Sequence, residues 1–340
     1  MSELIKVVLD AMGGDYAPVE PVKAAVEAVK ESDKIFVYLT GQEEVLKKEL
    51  QKYTYPQDRI EVVHASEIIE TGESPVKAIQ SKKDSSLVKG LKMVREGKAD
   101  AFVSAGSTGA VLVGGQVIVR KVPGVERAPL APLIPTEKGF SLLIDCGANV
   151  DARSSHLVQF AIIGTIYMKY VIGIENPTVG LVNIGAEEEK GNALSKETFQ
   201  LLKETEGINF IGNVEARDIP AGKADIIVTE AFTGNVILKL YEGLANTLIK
   251  KIKQGLMSTL RSKIGGILIK PALKKTMKSF DSAEYGGAPL LGLRGLVVKT
   301  HGSSKSLEIK NSILQCVKFT EQDLPGMISA NLQPKEKKAE

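Results

Sequence analysis

The stretch Val7-Val8-Leu9-Asp10-Ala11-Met12-Gly13-Gly14-Asp15 decides the fold. An apolar, β-type run breaks here into a short glycine loop, and a helix-like segment follows. The same pattern recurs at residues 101–109 and 226–235. In an open parallel sheet such loops gather at the carboxyl ends of the strands, where ligands bind. Glycine lets main-chain N–H groups approach an anion closely, and the following helix adds its positive dipole end, so these loops predict a phosphate site.

Strand-like and helix-like segments alternate along the whole chain. The β-type runs lie near residues 4–9, 35–40, 59–64, 100–104, 130–135, 140–145, 178–184, 208–212, 224–229 and 294–299. This alternation predicts an α/β protein with a Rossmann-like three-layer αβα fold and a largely parallel sheet. Capping residues predict helix starts at Ser74-Pro75, Asp84-Ser85-Ser86 and Ser154-Ser155. Pro129, Pro132 and Pro135 restrict the run between them to an edge strand or an extended connection.

Composition places the chain among ordinary globular proteins. Its 340 residues, 43% apolar and 25% charged, suit one large α/β unit or two lobes. Two cysteines, Cys146 and Cys316, cannot form a disulfide framework, and no signal-peptide segment precedes Leu4, so we expect a cytoplasmic location. No apolar run approaches the roughly 20 residues that a spanning helix needs, which predicts that no segment crosses a membrane. The net charge of +3 is small.

Residues 239–280 depart from the α/β pattern. Apolar residues recur every four positions from Leu240 to Leu260, while Gly265-Gly266 and Pro271 interrupt the continuation, which predicts two helices joined by a break there. Residues 239–278 include ten Lys or Arg residues and a single acidic residue, Glu242. This mixture is typical of an element that lies on anionic lipid or binds an acidic partner; a dimer-forming hairpin with a solvated basic face is the alternative. The predicted contact residues are Lys250, Lys251, Lys253, Leu256, Arg261, Lys263, Ile264, Ile267 and Leu268.

The sequence therefore divides into four parts. Residues 1–238 form the predicted catalytic core, 239–282 the basic hairpin, 283–330 a return to the core, and 331–340 a disordered tail. The basic stretch of the hairpin carries leucine and isoleucine rather than stacking aromatics, so we expect no nucleic-acid partner.

The sequence lacks the common motifs for nucleotide binding, metal binding and catalysis by an enzyme nucleophile. Neither a Walker A loop nor the GxGxxG fingerprint occurs, and His64, His156 and His301 show no metal-ligand spacing. No GxSxG elbow is present, and Cys146 has no evident histidine partner. We therefore expect neither a metal nor a cofactor. A chain rich in anion loops and poor in nucleophiles suggests that the bound anion itself attacks the substrate.

Longer motifs resemble a known family. They are Asp10 to Asp15, Ser104 to Ala110, Asp145 to Asp151, Val182 to Gly185 with Lys190-Gly191-Asn192, Phe232 to Asn235, and Ala283 to Gly292. Together they resemble the PlsX-type phosphate acyltransferases from about residue 5 to about residue 325. The chain departs from the family pattern at Glu230-Ala231, where Asp-Gly is usual, and at Ser107, where Asn is usual.

The resemblance implies a function and a setting. It implies transfer of a long acyl chain from acyl-(acyl carrier protein) to inorganic phosphate, giving acyl phosphate for bacterial phospholipid synthesis. It also implies a homodimer bound peripherally to the inner face of the cell membrane, near the glycerol-3-phosphate acyltransferase that uses acyl phosphate. The fold would be similar to the phosphotransacetylase and isopropylmalate dehydrogenase group. A metal- and nicotinamide-dependent 2-hydroxyacid dehydrogenase and a non-catalytic membrane scaffold are the alternatives.

Attack of phosphate on a thioester requires an anion cradle, a cation and oxyanion donors. The predicted cradle consists of the N–H groups of Gly106, Ser107, Thr108 and Gly109 with the Ser104 and Thr108 hydroxyls. Lys190 is the predicted cation, or else a solvated residue that balances the acids at 187–189. The predicted amide donors, which could equally be turn formers, are Asn183, Asn192 and Asn235.

Other loop residues receive supporting roles. Asp10 and Asp15 flank Gly13-Gly14 and would orient a donor or accept a proton. The remaining substrate-binding candidates are Thr233, Gly234, Glu284, Gly286 and Gly287, of which the last three would close over the acyl-pantetheine end. His301 would protonate the departing thiolate or serve as a structural histidine.

Overall fold

A computed structural model describes residues 4–279 and 285–332. The strands are β1 (Ile5–Asp10), β2 (Ile35–Gly41), β3 (Ile60–His64), β4 (Ala101–Ser104), β5 (Leu133–Thr136), β6 (Gly139–Ile144), β7 (Thr178–Asn183), β8 (Asn209–Glu215), β9 (Ile226–Val228), β10 (Ala288–Pro289) and β11 (Leu296–Lys299). The helices are α1 (Val19–Glu31), α2 (Glu43–Leu50), α3 (Pro75–Ser81), α4 (Ser86–Arg95), α5 (Thr108–Gly114), α6 (Ser154–Ile166), α7 (Ala193–Glu204), α8 (Ala231–Met257), α9 (Leu260–Ser279), α10 (Ser306–Glu321) and α11 (Leu324–Leu332).

The strands form two sheets rather than one. The first has the order β10-β11-β4-β1-β2-β3 and the second β5-β6-β9-β7-β8. Within each sheet every pairing is parallel except that of one edge strand, β10 or β5. The predicted α/β class with largely parallel pairing is confirmed. Every β-type run corresponds to a strand, and only the two-residue β10 was not anticipated from the sequence.

Burial on both faces explains the continuous apolar runs of the strands. Val7 and Leu9 of β1 pack into one core cluster with residues of α1 and α10, whereas Val8 packs into another with residues of α4 and α5. Successive side chains of a strand point to opposite faces, so a strand covered on both sides must be apolar throughout. The carboxyl ends of β1, β4 and β11 are thereby fixed side by side.

The predicted helix starts and the edge strand are present, but of the predicted caps only Ser85 makes a side-chain hydrogen bond: Ser74 makes none, and the cap of α6 is Arg153. Pro75 occupies the first turn of α3 behind Ser74, and the Ser85 hydroxyl accepts a hydrogen bond of 3.3 Å from the N–H of Val88 in α4. Helix α6 begins at Ser154. Strand β5 is an edge strand and contains Pro135, as predicted.

The two predicted helices of the hairpin are present, but the first begins earlier than predicted and the turn between them lies elsewhere. Helix α8 begins at Ala231, inside the core, and not at 239, and the predicted break at Gly265-Gly266 and Pro271 is wrong because α9 runs through all three. The chain turns earlier, where Thr259 and Ser262 cap α9 reciprocally: Ser262 N donates to Thr259 Oγ1 at 3.1 Å, and Thr259 N donates to Ser262 Oγ at 3.0 Å. Gly266 instead allows α8 and α9 to approach each other closely, because it lies against Leu256 of α8. Residues 331 and 332 of the predicted disordered tail belong to α11, and the tail from 333 onward lies outside the described residues.

One helical segment is longer and more apolar than the sequence analysis allowed. Helix α6 continues as a π-helix through Tyr167–Ile172, and Ser154–Ile172 has the length and composition of a membrane span. Half of this segment is buried inside the protein, where α6 packs against β6, β9, α7 and α11. The expectation that no apolar run approaches this length was therefore wrong, and the segment is a core helix of the second sheet.

Candidate functional site

Three loops of the first sheet converge at the carboxyl ends of β1, β4 and β11; we call residues 11–15, 104–109 and 300–304 the anion crevice. Asp15 N donates to the Gly302 carbonyl at 2.8 Å, so the first loop is bonded to the third. A Cβ atom on Gly13 would lie 2.8 Å from Gly106 N, so the first loop also touches the second. Gly14 has a φ of +99°, and a Cβ there would lie 2.8 Å from Ala105 Cβ. Both glycines are required because the loops pack main chain against main chain.

The Asp10 side chain, at the end of β1, connects the first two loops. Its carboxylate accepts hydrogen bonds from Ser104 Oγ at 2.7 Å and from Met12 N at 3.3 Å. Ser104 Oγ in turn accepts one from Gly106 N at 2.9 Å. Burial raises the pKa of Asp10, and these donors and the Lys299 charge oppose that shift. Asp10 and Ser104 therefore shape the loop between β4 and α5.

The second loop ends in the first turn of α5. Ser107 caps this helix, its hydroxyl accepting from Ala110 N at 3.4 Å. The N–H groups of Thr108 and Gly109 precede the first intrahelical hydrogen bond and so have no acceptor within α5. A Cβ on Gly109 would lie 2.5 Å from Pro75 Cγ, so this glycine also lets α3 pack closely. The predicted cradle residues are thus brought together at one place.

Lys299 was missed by the sequence analysis. It ends β11, pairs in register with Ser104 of β4, and is only 7% exposed. Its Nζ donates to the Thr300 carbonyl and, at 3.5 Å, to the Ala105 carbonyl. Burial lowers the pKa of Lys299 to about 8, against the opposing charges of Glu308, Asp10 and Asp15. The available signal was a lysine at the end of an apolar β-type run, 294–299.

His301 and the glycine pair before β10 adjoin the crevice. His301 Nδ1 lies 2.8 Å from Ser303 Oγ and accepts from Ser303 N at 3.2 Å, so this nitrogen is occupied within its own loop. A Cβ on Gly287 would lie 2.8 Å from the Lys299 carbonyl, which places Gly286-Gly287 beside β11. Glu284 lies outside the described residues. The roles predicted for these residues stay predictions.

Lys190 and two of the predicted amide donors lie at the second sheet, after β7. Asn183 closes its own loop: Nδ2 donates to the Lys190 carbonyl at 3.0 Å, and Oδ1 accepts from Ile184 N at 2.8 Å. Asn192 caps α7 by accepting from Ser195 N at 2.8 Å. The structure therefore gives both asparagines the turn and cap geometry that was the alternative interpretation. The Lys190 side chain is exposed.

Asp145 follows β6 at the same carboxyl edge of the second sheet, because β6, β9 and β7 run parallel. Its buried carboxylate accepts from four groups: Leu130 N at 3.0 Å, Gly147 N at 3.2 Å, Ala148 N at 3.1 Å and Asn149 Nδ2 at 2.7 Å. Burial raises the pKa of Asp145, and these donors oppose the shift. The segment containing Leu130 also pairs with Leu290 next to β10, so Asp145 helps to connect the two sheets.

The Glu230-Ala231 departure has a clear structural consequence. The Glu230 carboxylate caps α8 by accepting from Phe232 N at 2.6 Å and Thr233 N at 3.0 Å, and it also binds the Thr233 hydroxyl. Ala231 is helical and buried, and its N–H donates to the Asn149 carbonyl at 3.2 Å. The main-chain N–H and the hydroxyl of Thr233 are therefore both bonded to the Glu230 carboxylate. Gly234 is a packing position, since a Cβ there would lie 1.9 Å from the Asp145 carbonyl oxygen. Asn235, in the first turns of α8, is partly exposed.

Replacing Glu230 with alanine should lower the free energy of unfolding by about 1 kcal/mol, because two N–H groups of α8 lose their cap. The urea midpoint of the purified variant measures this loss. Glu230→Gln is the matched control: it keeps a side-chain oxygen acceptor of the same length, and we expect it to lose less. Equal midpoints for Glu230→Ala and the unmodified protein would contradict the capping role.

The cysteines and the described acidic and imidazole groups offer no further reactive centre. Both thiols are buried, and burial raises the pKa of each, so neither is a thiolate at neutral pH. Within the described part of the chain, no three His, Cys, Asp or Glu side chains cluster in a way that could hold a metal ion. A cavity of about 290 Å³ lies among Ala99, Leu296 and Phe319, near the amino ends of β4 and β11 and thus away from the crevice.

Comparison with known proteins agrees with this geometry. Residues 5–327 match the family model described as fatty acid synthesis protein. The chain is 51% identical to a phosphate acyltransferase of Alkaliphilus oremlandii, covering 96% of each chain, and 47% identical to one of Clostridium novyi, covering 97% of this chain and 99% of that one.

This chain belongs to the fatty acid synthesis protein family of PlsX-type phosphate acyltransferases. The predicted family and the predicted acyltransferase enzyme are both confirmed. The fold is similar to that of a phosphotransacetylase from Streptococcus pyogenes, with a TM-score of 0.61 and 17% identity over 94% of this chain and 95% of that one. That likeness confirms the predicted fold group.

Proposed function

We propose that this acyltransferase moves a long acyl chain from acyl-(acyl carrier protein) to inorganic phosphate and releases acyl phosphate. The convergence of three glycine loops in the anion crevice supports the proposal most strongly. The N–H groups of Thr108 and Gly109, in the first turn of α5, have no acceptor within the helix, which suits the binding of a small anion. The buried thiols argue against an acyl intermediate carried as a thioester on a cysteine of the protein.

The bound phosphate is the nucleophile in this proposal. One of its oxygens attacks the thioester carbonyl carbon, a tetrahedral oxyanion forms, and the C–S bond breaks to release the carrier thiolate. Because a thiol has an ordinary pKa near 8.5, the thiolate leaves with little help from an acid. The protein contributes orientation of the two reactants and donors for the oxyanion, with Lys190 and Asn235 as candidate donors.

A trapping assay tests this function. Purified protein is incubated with acyl-(acyl carrier protein) and orthophosphate, and acyl phosphate is captured with hydroxylamine as acyl hydroxamate. We expect hydroxamate formation to require both the protein and orthophosphate, above a control without protein that measures direct attack on the thioester. Product formation that is independent of orthophosphate, or an acyl group found covalently on the protein, would refute the proposal.

The hairpin formed by α8 and α9 supports a proposed location at the inner face of the cell membrane. Its far end exposes large apolar side chains, among them Leu260 at 76%, Ile267 at 72% and Leu268 at 75%. Exposed basic residues such as Lys263 surround them. Apolar insertion together with attraction to anionic headgroups is the usual mode of peripheral binding. Leu256 is only partly exposed, because it packs against Gly266 of the neighbouring helix.

Replacing Ile264, Ile267 and Leu268 together with glutamine should abolish sedimentation with vesicles that contain anionic lipid. These side chains are exposed, so the unfolding midpoint should stay unchanged. Val76→Gln, which alters an exposed apolar residue of α3, is the control and should sediment normally. Undiminished sedimentation of the triple variant would refute the membrane proposal.

The same hairpin suggests two further partners. Exposed Lys250, Lys251 and Lys253 would steer the acidic acyl carrier protein toward the crevice, an attraction that weakens with salt. Leu240, Leu244 and Leu248 form an exposed apolar stripe on the part of α8 nearer the core, which a second copy of the chain would cover in a homodimer. The acyl phosphate product would pass to a membrane-bound glycerol-3-phosphate acyltransferase.

A further inference from the structure

The most unusual charged group in the described structure is Lys299. Among residues 4–274, 276–277 and 285–332, for which burial is described, it is the only buried lysine or arginine. Placing an ammonium group in the protein interior is costly unless it is paired and hydrogen-bonded. A strand end that retains such a group, when any apolar residue would pack there more favourably, points to a role in the adjoining site.

Register places Lys299 directly at the anion crevice. Asp10, Ser104 and Lys299 are register partners across the adjacent strands β1, β4 and β11. The Lys299 ammonium binds the carbonyls of Ala105 and Thr300, which belong to the second and third crevice loops. This side chain therefore adds a second connection between two loops that are also joined by the main-chain hydrogen bond from Thr300 N to the Ser104 carbonyl at 3.0 Å.

The charges around Lys299 explain why a cation is needed there. Asp10 from β1, Asp15 from the first loop and Glu308 from α10 all act electrostatically on Lys299. Three carboxylates near a crevice would repel an approaching phosphate dianion. Lys299 lies among them and offsets part of their negative field at the point where the loop amides converge.

We propose that Lys299 is the positioning residue of the anion crevice: its ammonium holds the second and third loops in register and supplies the positive charge that allows a phosphate dianion to bind between them. The inference rests on the proposed use of orthophosphate as substrate. Lys299 acts through the loops and their field, whereas Lys190 and Asn235 remain the candidates for contact with the reacting atoms.

This role predicts a distinctive dependence on pH. Since burial lowers the pKa of Lys299 to about 8, the ammonium is present below that pH and is lost as the pH rises through it. The kcat/KM for orthophosphate, which reports the free enzyme, should therefore decline above about pH 8. Bound phosphate favours the charged lysine, so kcat should decline only at higher pH.

Lys299→Met tests the proposal with a neutral side chain of similar length. We expect the KM for orthophosphate to rise at least about 10-fold, the KM for the acyl donor to change little, and the alkaline decline of kcat/KM to disappear. Lys305→Met, an exposed lysine just beyond the third loop, is the matched control and should leave all three quantities unchanged.

Lys299→Arg keeps the experiment decisive if the methionine variant fails to fold. Arginine stays charged throughout the accessible pH range, so it should remove the alkaline decline while preserving more phosphate affinity than methionine. An unchanged KM for orthophosphate in folded Lys299→Met, or an alkaline decline that persists in Lys299→Arg, would overturn the proposal. If the unmodified enzyme makes no phosphate-dependent product at all, the proposed function fails instead.

Discussion

Replacing Lys190 with alanine is expected to lower turnover about 100-fold while leaving the unfolding midpoint unchanged. A missing donor to the developing oxyanion or to phosphate typically costs this factor. The fold should not suffer, because the Lys190 side chain is exposed and makes no hydrogen bond or ion pair with any residue in 4–279 or 285–332. Only its main chain is used locally, where the carbonyl accepts from Asn183 Nδ2.

The competing interpretation, a lysine that merely balances the acids at 187–189, has lost part of its support. Glu188 is already paired with Lys203 at 3.0 Å. Steady-state turnover of Lys190→Ala with saturating orthophosphate and acyl donor makes the distinction. Lys196→Ala changes an exposed lysine of α7 in the same region and serves as the control. Full turnover in Lys190→Ala would remove this residue from the mechanism.

Asp145→Ala is expected to cause the largest loss of stability, about 4 kcal/mol in the free energy of unfolding. Truncation leaves four donors without this acceptor: Leu130 N and Asn149 Nδ2 are buried, and the N–H groups of residues 147 and 148 are partly buried. Each unsatisfied buried donor typically costs about 1–3 kcal/mol, and relaxation or water entry recovers part of the sum. Chemical denaturation at neutral pH, followed by far-UV circular dichroism, measures the change.

Asp151→Ala is the matched control for this prediction. Asp151 lies six residues further along the same loop region and is exposed, so its removal should change the free energy of unfolding by less than about 0.5 kcal/mol. A similarly small loss in Asp145→Ala would show that the buried network contributes little, and the proposed connection between the two sheets would have to rest on main-chain pairing alone.

The first crevice loops were predictable from the sequence because their information is local. Gly13-Gly14 and Gly106 follow apolar runs directly, and the carboxyl end of a parallel strand is the usual place for such a turn. The starts of α3 and α4 and the Ser85 cap were predictable for the same reason, since a cap and its helix are neighbours in the chain.

The hairpin shows the limits of local signals. Gly265-Gly266 and Pro271 are strong helix-breaking signals, yet α9 includes them and the chain turns at Ser258 and Thr259. Reciprocal capping between Thr259 and Ser262 favours the earlier turn. The contact between Leu256 and Gly266 stabilises the close approach of α8 and α9. Tertiary packing thus overrides the intrinsic helix propensity of single residues.

The sequence by itself determined the α/β class, the positions of the strands, the anion loops and the family. Only the tertiary structure decided that the strands divide between two sheets, that Glu230 already occupies the start of α8, and that Lys299 lies beside Ser104. Loops and caps depend on residues close together in the chain, whereas the Lys299 environment depends on pairing between strands separated by nearly 200 positions, and no local pattern encodes which strands become neighbours.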